Sequence, residues 1–153
     1  MEHATIESLD QWVAARDGTG LYFNATAVSL EGHGVLLLGR PGAGKSSTAL
    51  ALMASGAVLI SDDGVWLKGG ILSAPETAPP IIEARGIGLL NAGPMCPSAP
   101  LVLVVDLTQT EKDRLPPRRF VAETDQKVTL IRARSGRNLP PAILQLLRHG
   151  RFT

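Results

Sequence analysis

The residues with the most specific chemical use are Gly39-Arg40-Pro41-Gly42-Ala43-Gly44-Lys45-Ser46, which satisfy the Walker A pattern G-x-x-x-x-G-K-[ST]. Glycines let the backbone curl until several N–H groups converge on phosphate oxygens, and a following helix adds a favourable dipole. Lys45 can then reach the β- and γ-phosphates, and the Ser46 hydroxyl can ligate Mg²⁺. With Ser47, these residues make up the predicted nucleotide-binding set, and ATP with Mg²⁺ is the expected ligand. A loop of this kind does not by itself choose among ATPase, GTPase and kinase. No Asn/Thr-Lys-x-Asp base-reading motif is present, which counts against a GTPase.

Acids are the second requirement, because Mg²⁺ and an attacking hydroxyl both need carboxylates near the phosphates. Two apolar runs end in acids: 57–60 leads into Asp62-Asp63, and 101–105 leads into Asp106. Adjacent carboxylates can divide the work. One organises the loop or a metal-bound water while the other accepts a proton. The pair lies about 17 residues past the loop, a spacing natural for a strand beside the P-loop strand. With the loop present, catalysis is a stronger reading than a simple turn cap before Gly64.

The elements that must hold these residues follow from periodicity. Ile6, Leu9, Trp12 and Val13 recur at helical spacing and predict an amphipathic helix over about 6–16. Residues 21–30 read as a strand, 31–34 as a turn, and 35–38 as a buried strand feeding the loop. A helix over about 45–55 should lay Ala49, Leu50, Leu52 and Met53 on the sheet. Strands are expected at 57–60, 101–105 and 128–132, with a Gly69-Gly70 hairpin joining 65–68 to 71–73. Residues 81–91 are apolar but interrupted by Glu83, Arg85, Gly86 and Gly88, and 111–125 reads as a polar surface excursion. A last helix over 138–148 starts on Pro140 and Pro141. The predicted organisation is an N-terminal helical extension over 1–20, followed by one P-loop domain over 21–153.

Composition sets outer bounds. The 153 residues are 44% apolar and 19% charged, which fits one folded domain. A net charge of +1 gives no reason to expect a nucleic-acid or membrane partner. Residues 110–153 nevertheless hold ten Lys/Arg against four acids, either a solvated basic face or a source of arginines for phosphate. Cys96 is the single cysteine, so no intrachain disulfide can form and a reducing cytoplasmic setting is expected. Glu2, Glu7 and Asp10 are unlike a signal peptide, and no apolar run reaches membrane-spanning length.

Taken in order, these segments resemble the C-terminal catalytic domain of HPr kinase/phosphorylase. The resemblance runs through 24–28 and 34–39, Gly42-Ala43-Gly44-Lys45-Ser46, and Leu59-Ile60-Ser61-Asp62-Asp63. It continues in Ile82-Glu83-Ala84-Arg85-Gly86-Ile87-Gly88-Leu89-Leu90-Asn91, similar to the family's Glu-Ile-Arg-Gly-Leu-Gly-Ile-Ile-Asn signature, and in Arg134-Ser135-Gly136-Arg137-Asn138-Leu139. It covers about 21–148. The implied fold is α/β, a P-loop kinase-like core of mixed sheet with flanking helices. The implied activity is an ATP- and Mg²⁺-dependent protein serine kinase acting on HPr or an HPr-like phosphocarrier, with a reverse phosphorylase reaction. The resemblance makes Lys45 the phosphate lysine, Ser46 and Glu83 the Mg²⁺ ligands, and Asp63, paired with Asp62, the proton acceptor. It places Arg114 near the transferring phosphoryl group and Arg137 in a loop, 132–137, linked to dephosphorylation near a partner's active site. A homo-oligomer, hexameric by resemblance, is also implied.

Three departures stand out. Asn24 occupies the position of a family His, Ser47 that of an acid, and Ser135 that of a Pro. Asn cannot carry a proton in place of His, so two other readings remain open. One is a nucleotide-binding regulatory module with weakened or lost catalysis, and the other a small-molecule P-loop kinase. His3, His33 and His149 offer no obvious replacement.

Overall fold

The structure, a computed structural model, describes residues 4–152, and His3 lies outside them. The P-loop strand is β5 (His33–Leu38), whose Val35, Leu36, Leu37 and Leu38 are all buried. Such a run needs cover on both faces, and it has it. On one side lie the helices α1 (Lys45–Ala54) and α2 (Leu139–His149); on the other lies a second sheet. Val35 and Leu37 pack with Ala49, Leu52, Leu139 and Ile143 beneath the helices. Leu36 and Leu38 pack with Phe23, Val65, Leu67 and Leu72 between the sheets.

The first sheet is mixed. β4 (Thr26–Leu30) lies antiparallel to β5 and to β6 (Val58–Ser61), so it separates the two. The strand carrying the paired acids is therefore one place removed from the P-loop strand, not beside it as the spacing suggested. A β-hairpin through Glu31 and Gly32 makes this insertion possible, with positive φ at both residues. Beyond β5 come β11 (Ser98–Asp106) and β13 (Thr129–Arg132), parallel to it and to each other.

β11 belongs to both sheets. Its residues 98–100 pair antiparallel with β8 (Ile71–Ser73), and its later residues pair with β5. A register shift between Leu101 and Leu103 lets Leu101 and Val104 share one face while Leu103 and Val105 take the other. At the bend, a Cβ on Gly34 would stand 2.6 Å from the Pro100 carbonyl oxygen, so only glycine permits the approach. The second sheet continues from β8 through β7 (Val65–Lys68) and β3 (Gly20–Phe23) to β2 (Val13–Asp17). The Gly69-Gly70 turn joins β7 to β8 as expected, both glycines having positive φ. β9 (Ile81–Ala84) and β10 (Gly88–Asn91) form a separate two-stranded hairpin. No helix among the described residues is long and apolar enough to cross a membrane.

Three further expectations are corrected. Residues 6–16 are not helical. They form the end of β1 (Ala4–Glu7), a short 3₁₀ turn over Asp10–Trp12 and most of β2. Tertiary pairing overrides the apparent periodicity: β1 joins β12 (Arg118–Val121) in parallel, β2 joins β3, and Ile6 is 67% exposed. The excursion 111–125 likewise contains β12, which also pairs with β13. Strand 21–30 is divided at Asn24 and Ala25 into β3 and β4.

Some of the charges that made 111–125 look solvated are partnered, while Lys112, Asp113, Arg114 and Asp125 are exposed. Arg119 donates to Glu111 at 2.7 Å, Arg119 also lies 3.7 Å from Glu7, and Arg132 pairs with Glu7. Side-chain exposure at the Arg119–Glu111 pair is only 13% and 17%, so water screens it weakly. The Arg119 hydrogen bond holds the Glu111 carboxyl below its ordinary value, against the opposing effect of burial. Its stabilisation is thus present above the unfolded carboxyl's pKa and is lost as pH falls through the depressed folded value. Glu111→Gln should lower stability in denaturant titrations by about 1–3 kcal/mol at neutral pH. The deficit should begin to shrink as pH falls below the ordinary Glu value of about 4.3, and vanish once the depressed folded carboxyl also protonates.

Candidate functional site

The loop from β5 to α1 is shaped by glycine. Gly42 and Gly44 have φ of 90° and 96°, and Ala43 N–H donates to the Arg40 carbonyl at 3.0 Å. Helix α1 begins at Lys45 with no side-chain cap and no acid in its first turn, so its first N–H groups are left to an anion. Lys45 Nζ folds back and donates to the Gly39 carbonyl at 2.6 Å. Partial burial pushes the Lys45 ammonium below its ordinary pKa, opposed by the charges of Asp63 and then Asp62.

Gly44 also has a neighbour that only its missing side chain allows. A Cβ there would lie 2.3 Å from Ser135 Oγ and 2.6 Å from Ser135 Cβ. Gly44→Ala should therefore cost about 1–3 kcal/mol in thermal or denaturant unfolding, from positive φ and the collision together. Ser135→Gly in the same chain should recover the steric part and leave the backbone part.

Four elements bring the acids to the loop. Asp62, leaving β6, accepts hydrogen bonds from Thr26 Oγ1 of β4 at 2.8 Å and from Ser46 Oγ of α1 at 2.8 Å. The Glu83 backbone N–H of β9 donates to its other oxygen at 3.1 Å. Asp62 thus ties the P-loop serine to three strands. Asp63, beside it, is exposed, has a φ of 63°, and accepts no hydrogen bond among the described residues. These acids, Lys45, Ser46, Glu83 and Arg85 line one cavity of about 430 Å³. Gly42, Ala43, Gly44 and Ser47 contribute to the same wall, as do Arg40 and Pro41.

Asp62, Asp63 and Glu83 also line a second cavity of about 340 Å³, walled by Tyr22, Pro75, Thr77 and Leu89. The acids therefore face two spaces, one with the phosphate loop and one without it. Thr26 and Arg85 are site residues to which the motif reading had given no role at the loop. Thr26, the first residue of β4, carried no motif signal, whereas Arg85 stood in the Glu83-Ala84-Arg85-Gly86 stretch of the resemblance without an assigned role.

Other expected participants lie elsewhere. Asp106 is 3% exposed and accepts from Thr108 N, Thr108 Oγ1 and Gln109 Nε2 at 2.9, 2.6 and 2.9 Å, so it shapes the turn after β11. Arg114 is exposed in the 111–117 segment and lines none of these cavities. Arg137 lines a separate space between α1 and α2 with Ser47, Thr48 and Leu144. Asn24 is exposed and faces neither acid-lined cavity.

Fold and site together define a P-loop domain built on a mixed sheet, with an acid pair facing the loop lysine. A family model described as HPr Serine kinase C-terminal domain matches residues 20–132, and the chain belongs to that family. The chain is 35% identical over 130 residues to the HPr kinase/phosphorylase of Geobacillus thermodenitrificans, covering 73% of this chain and 42% of that protein. It is 35% identical over 156 aligned positions to the HPr kinase/phosphorylase of Caldanaerobacter subterraneus, covering 88% and 48%. The chain thus spans less than half the length of these curated relatives. Among solved structures it is similar to the Hpr(Ser) kinase/phosphatase from Coxiella burnetii. That match has a TM-score of 0.67 and 27% identity, over 83% of this chain and 88% of the other.

Proposed function

We propose that this domain is an ATP- and Mg²⁺-dependent protein serine kinase whose acceptor is HPr or an HPr-like phosphocarrier. The observation that carries the reading is the wall of acids shared by two cavities. Phosphoryl transfer needs donor and acceptor oxygens on opposite sides of the moving group. A nucleotide bound along the loop would bring its γ-phosphate to Lys45, Asp62 and Asp63. A serine hydroxyl entering past Tyr22 and Leu89 would meet the same acids without crossing the loop.

Each residue then has a defined task. The N–H groups of 42–46 and the Lys45 ammonium neutralise phosphate charge. Asp63, carrying no other hydrogen bond, accepts the serine proton as the serine O–P bond forms and the bond to ADP breaks. Asp62 holds Ser46 in place. The oxygen-only donor set of Ser46, Asp62 and Glu83 suits Mg²⁺, which Ser46 and Glu83 would hold. When bound, the ion would supply charge neutralisation between the β- and γ-phosphates. In reverse, protonated Asp63 would return its proton to the serine oxygen while inorganic phosphate attacks the phosphoserine. Family membership and the HPr kinase/phosphorylase names of its relatives support the choice of acceptor.

The test is an acceptor panel with γ-labelled ATP and Mg²⁺: HPr, HPr lacking its acceptor serine, and small metabolites. Label on intact HPr alone is the expected result. Label on metabolites alone would favour a small-molecule kinase. Tight ATP binding with no labelled acceptor would favour a regulatory module, the reading that Asn24 motivates.

A further inference from the structure

The phosphate loop has two flanks, and the acids occupy one. On the other flank, Arg40, Pro41, Gly42 and Ala43 line a larger cavity of about 860 Å³. The direction follows from strand order. β4 and β6, which bring the acids, lie on one side of β5, whereas β11 and β13 lie on the other. The segments leaving β11 and β13 bring Thr108, Gln109 and Arg134 to this second flank, and no carboxylate among the described residues lines it. A nucleotide whose last phosphate sits among Lys45 and the acids has this flank open to its nucleoside end.

The aromatic wall of the cavity is Trp12. Its indole packs in part against the inter-sheet core and also lines the cavity, giving a surface backed by protein on one side. The 3₁₀ turn that carries it is pinned. Trp12 N–H donates to the Leu9 carbonyl, Leu9 is 2% exposed, and both Ser8 Oγ and Leu9 N–H donate to Glu123 at 2.8 Å. Gln109 is oriented as well. Its Nε2 must face the acceptor-only carboxylate of Asp106, which leaves its amide oxygen to accept from a base edge.

We infer that this cavity is a nucleoside subsite, in which Trp12 stacks on a purine base and Gln109 accepts from its edge. The assignment rests on reading the loop as a nucleotide site, and deepens it. A fixed aromatic face beside a polar, acid-free wall is the chemistry that recognises a neutral, amino-bearing base. Trp12 precedes the residues matched by the family model, 20–132, so this contribution comes from outside the matched motifs.

Calorimetric titration of the full chain with Mg²⁺ and either ATP or inorganic tripolyphosphate separates the two ideas. Trp12→Ala should weaken ATP binding roughly tenfold or more and leave tripolyphosphate within about twofold, since only ATP carries a base. Trp12→Phe should recover most of the loss. Tripolyphosphate also reports whether the loop is intact, so a misfolded variant reveals itself. Unchanged ATP affinity in Trp12→Ala, or an equal loss of both ligands that Trp12→Phe does not repair, overturns the subsite while leaving the phosphate loop standing. Wild-type protein that binds neither ligand overturns both.

Discussion

Lys45→Ala is expected to weaken ATP binding roughly 100-fold or more in a calorimetric titration, with little change in the folded structure. Charge-assisted hydrogen bonds to phosphate are each worth about 1.5–3 kcal/mol, and a lysine at this loop position makes more than one. The folded-state cost of the change is small, because Lys45 contributes one hydrogen bond, to the Gly39 carbonyl, from a partly buried ammonium whose pKa burial already lowers. Phosphate supplies the compensating charge that Asp63 and Asp62 supply only in part. An affinity unchanged by the substitution would mean that the loop does not bind nucleotide through its lysine.

Asp63→Asn should instead separate binding from chemistry. Phosphoryl transfer is expected to fall by about 10²–10⁴, the usual contribution of a positioned general base. ATP affinity should stay within about threefold, because Asp63 accepts no hydrogen bond among the described residues. Asn is close in shape and among the few residues that tolerate its φ of 63°, so the local backbone is kept. Asp62→Asn offers the contrast. Asp62 accepts from Thr26, Ser46 and the Glu83 N–H, and an amide NH₂ would oppose at least one of those donors. That variant should lose stability as well as Mg²⁺-dependent ATP binding. Equal effects of the two substitutions on binding and transfer would remove the division of labour assigned to the pair.

What could be read in the sequence was what local chemistry dictates. The β5–loop–α1 unit was legible because buried run, glycines, lysine and amphipathic helix follow one another without a gap. The Gly69-Gly70 hairpin and the proline-started α2 carried equally local signals. The meeting of Thr26, Ser46, Asp62 and the Glu83 N–H was not legible, since it depends on β4 lying between β5 and β6. A pattern of buried residues says that a strand is central, not which strand is its neighbour. The N-terminal segment misled for a related reason. Leu9, Trp12 and Val13 are apolar because a turn and an edge strand pack against the inter-sheet core, and their spacing only imitates a helix. In β12 the arginines hid a strand because their partners, Glu7 and Glu111 for Arg119 and the Arg151 carbonyl for Arg118, come from separate segments.

Asp62 and Asp63 were singled out as a pair, and the structure distinguishes them. One carboxylate accepts from two strands and a helix, while its neighbour is left open to two cavities. Such an arrangement would transfer a phosphoryl group from the loop side to a serine on the other. A single-turnover experiment tests it most directly: wild-type protein is saturated with ATP and Mg²⁺, mixed with HPr, quenched, and the HPr is read by intact mass and site mapping. One added phosphoryl group per HPr, on a serine, is the expected result. HPr that keeps its original mass while ATP is demonstrably bound would contradict it.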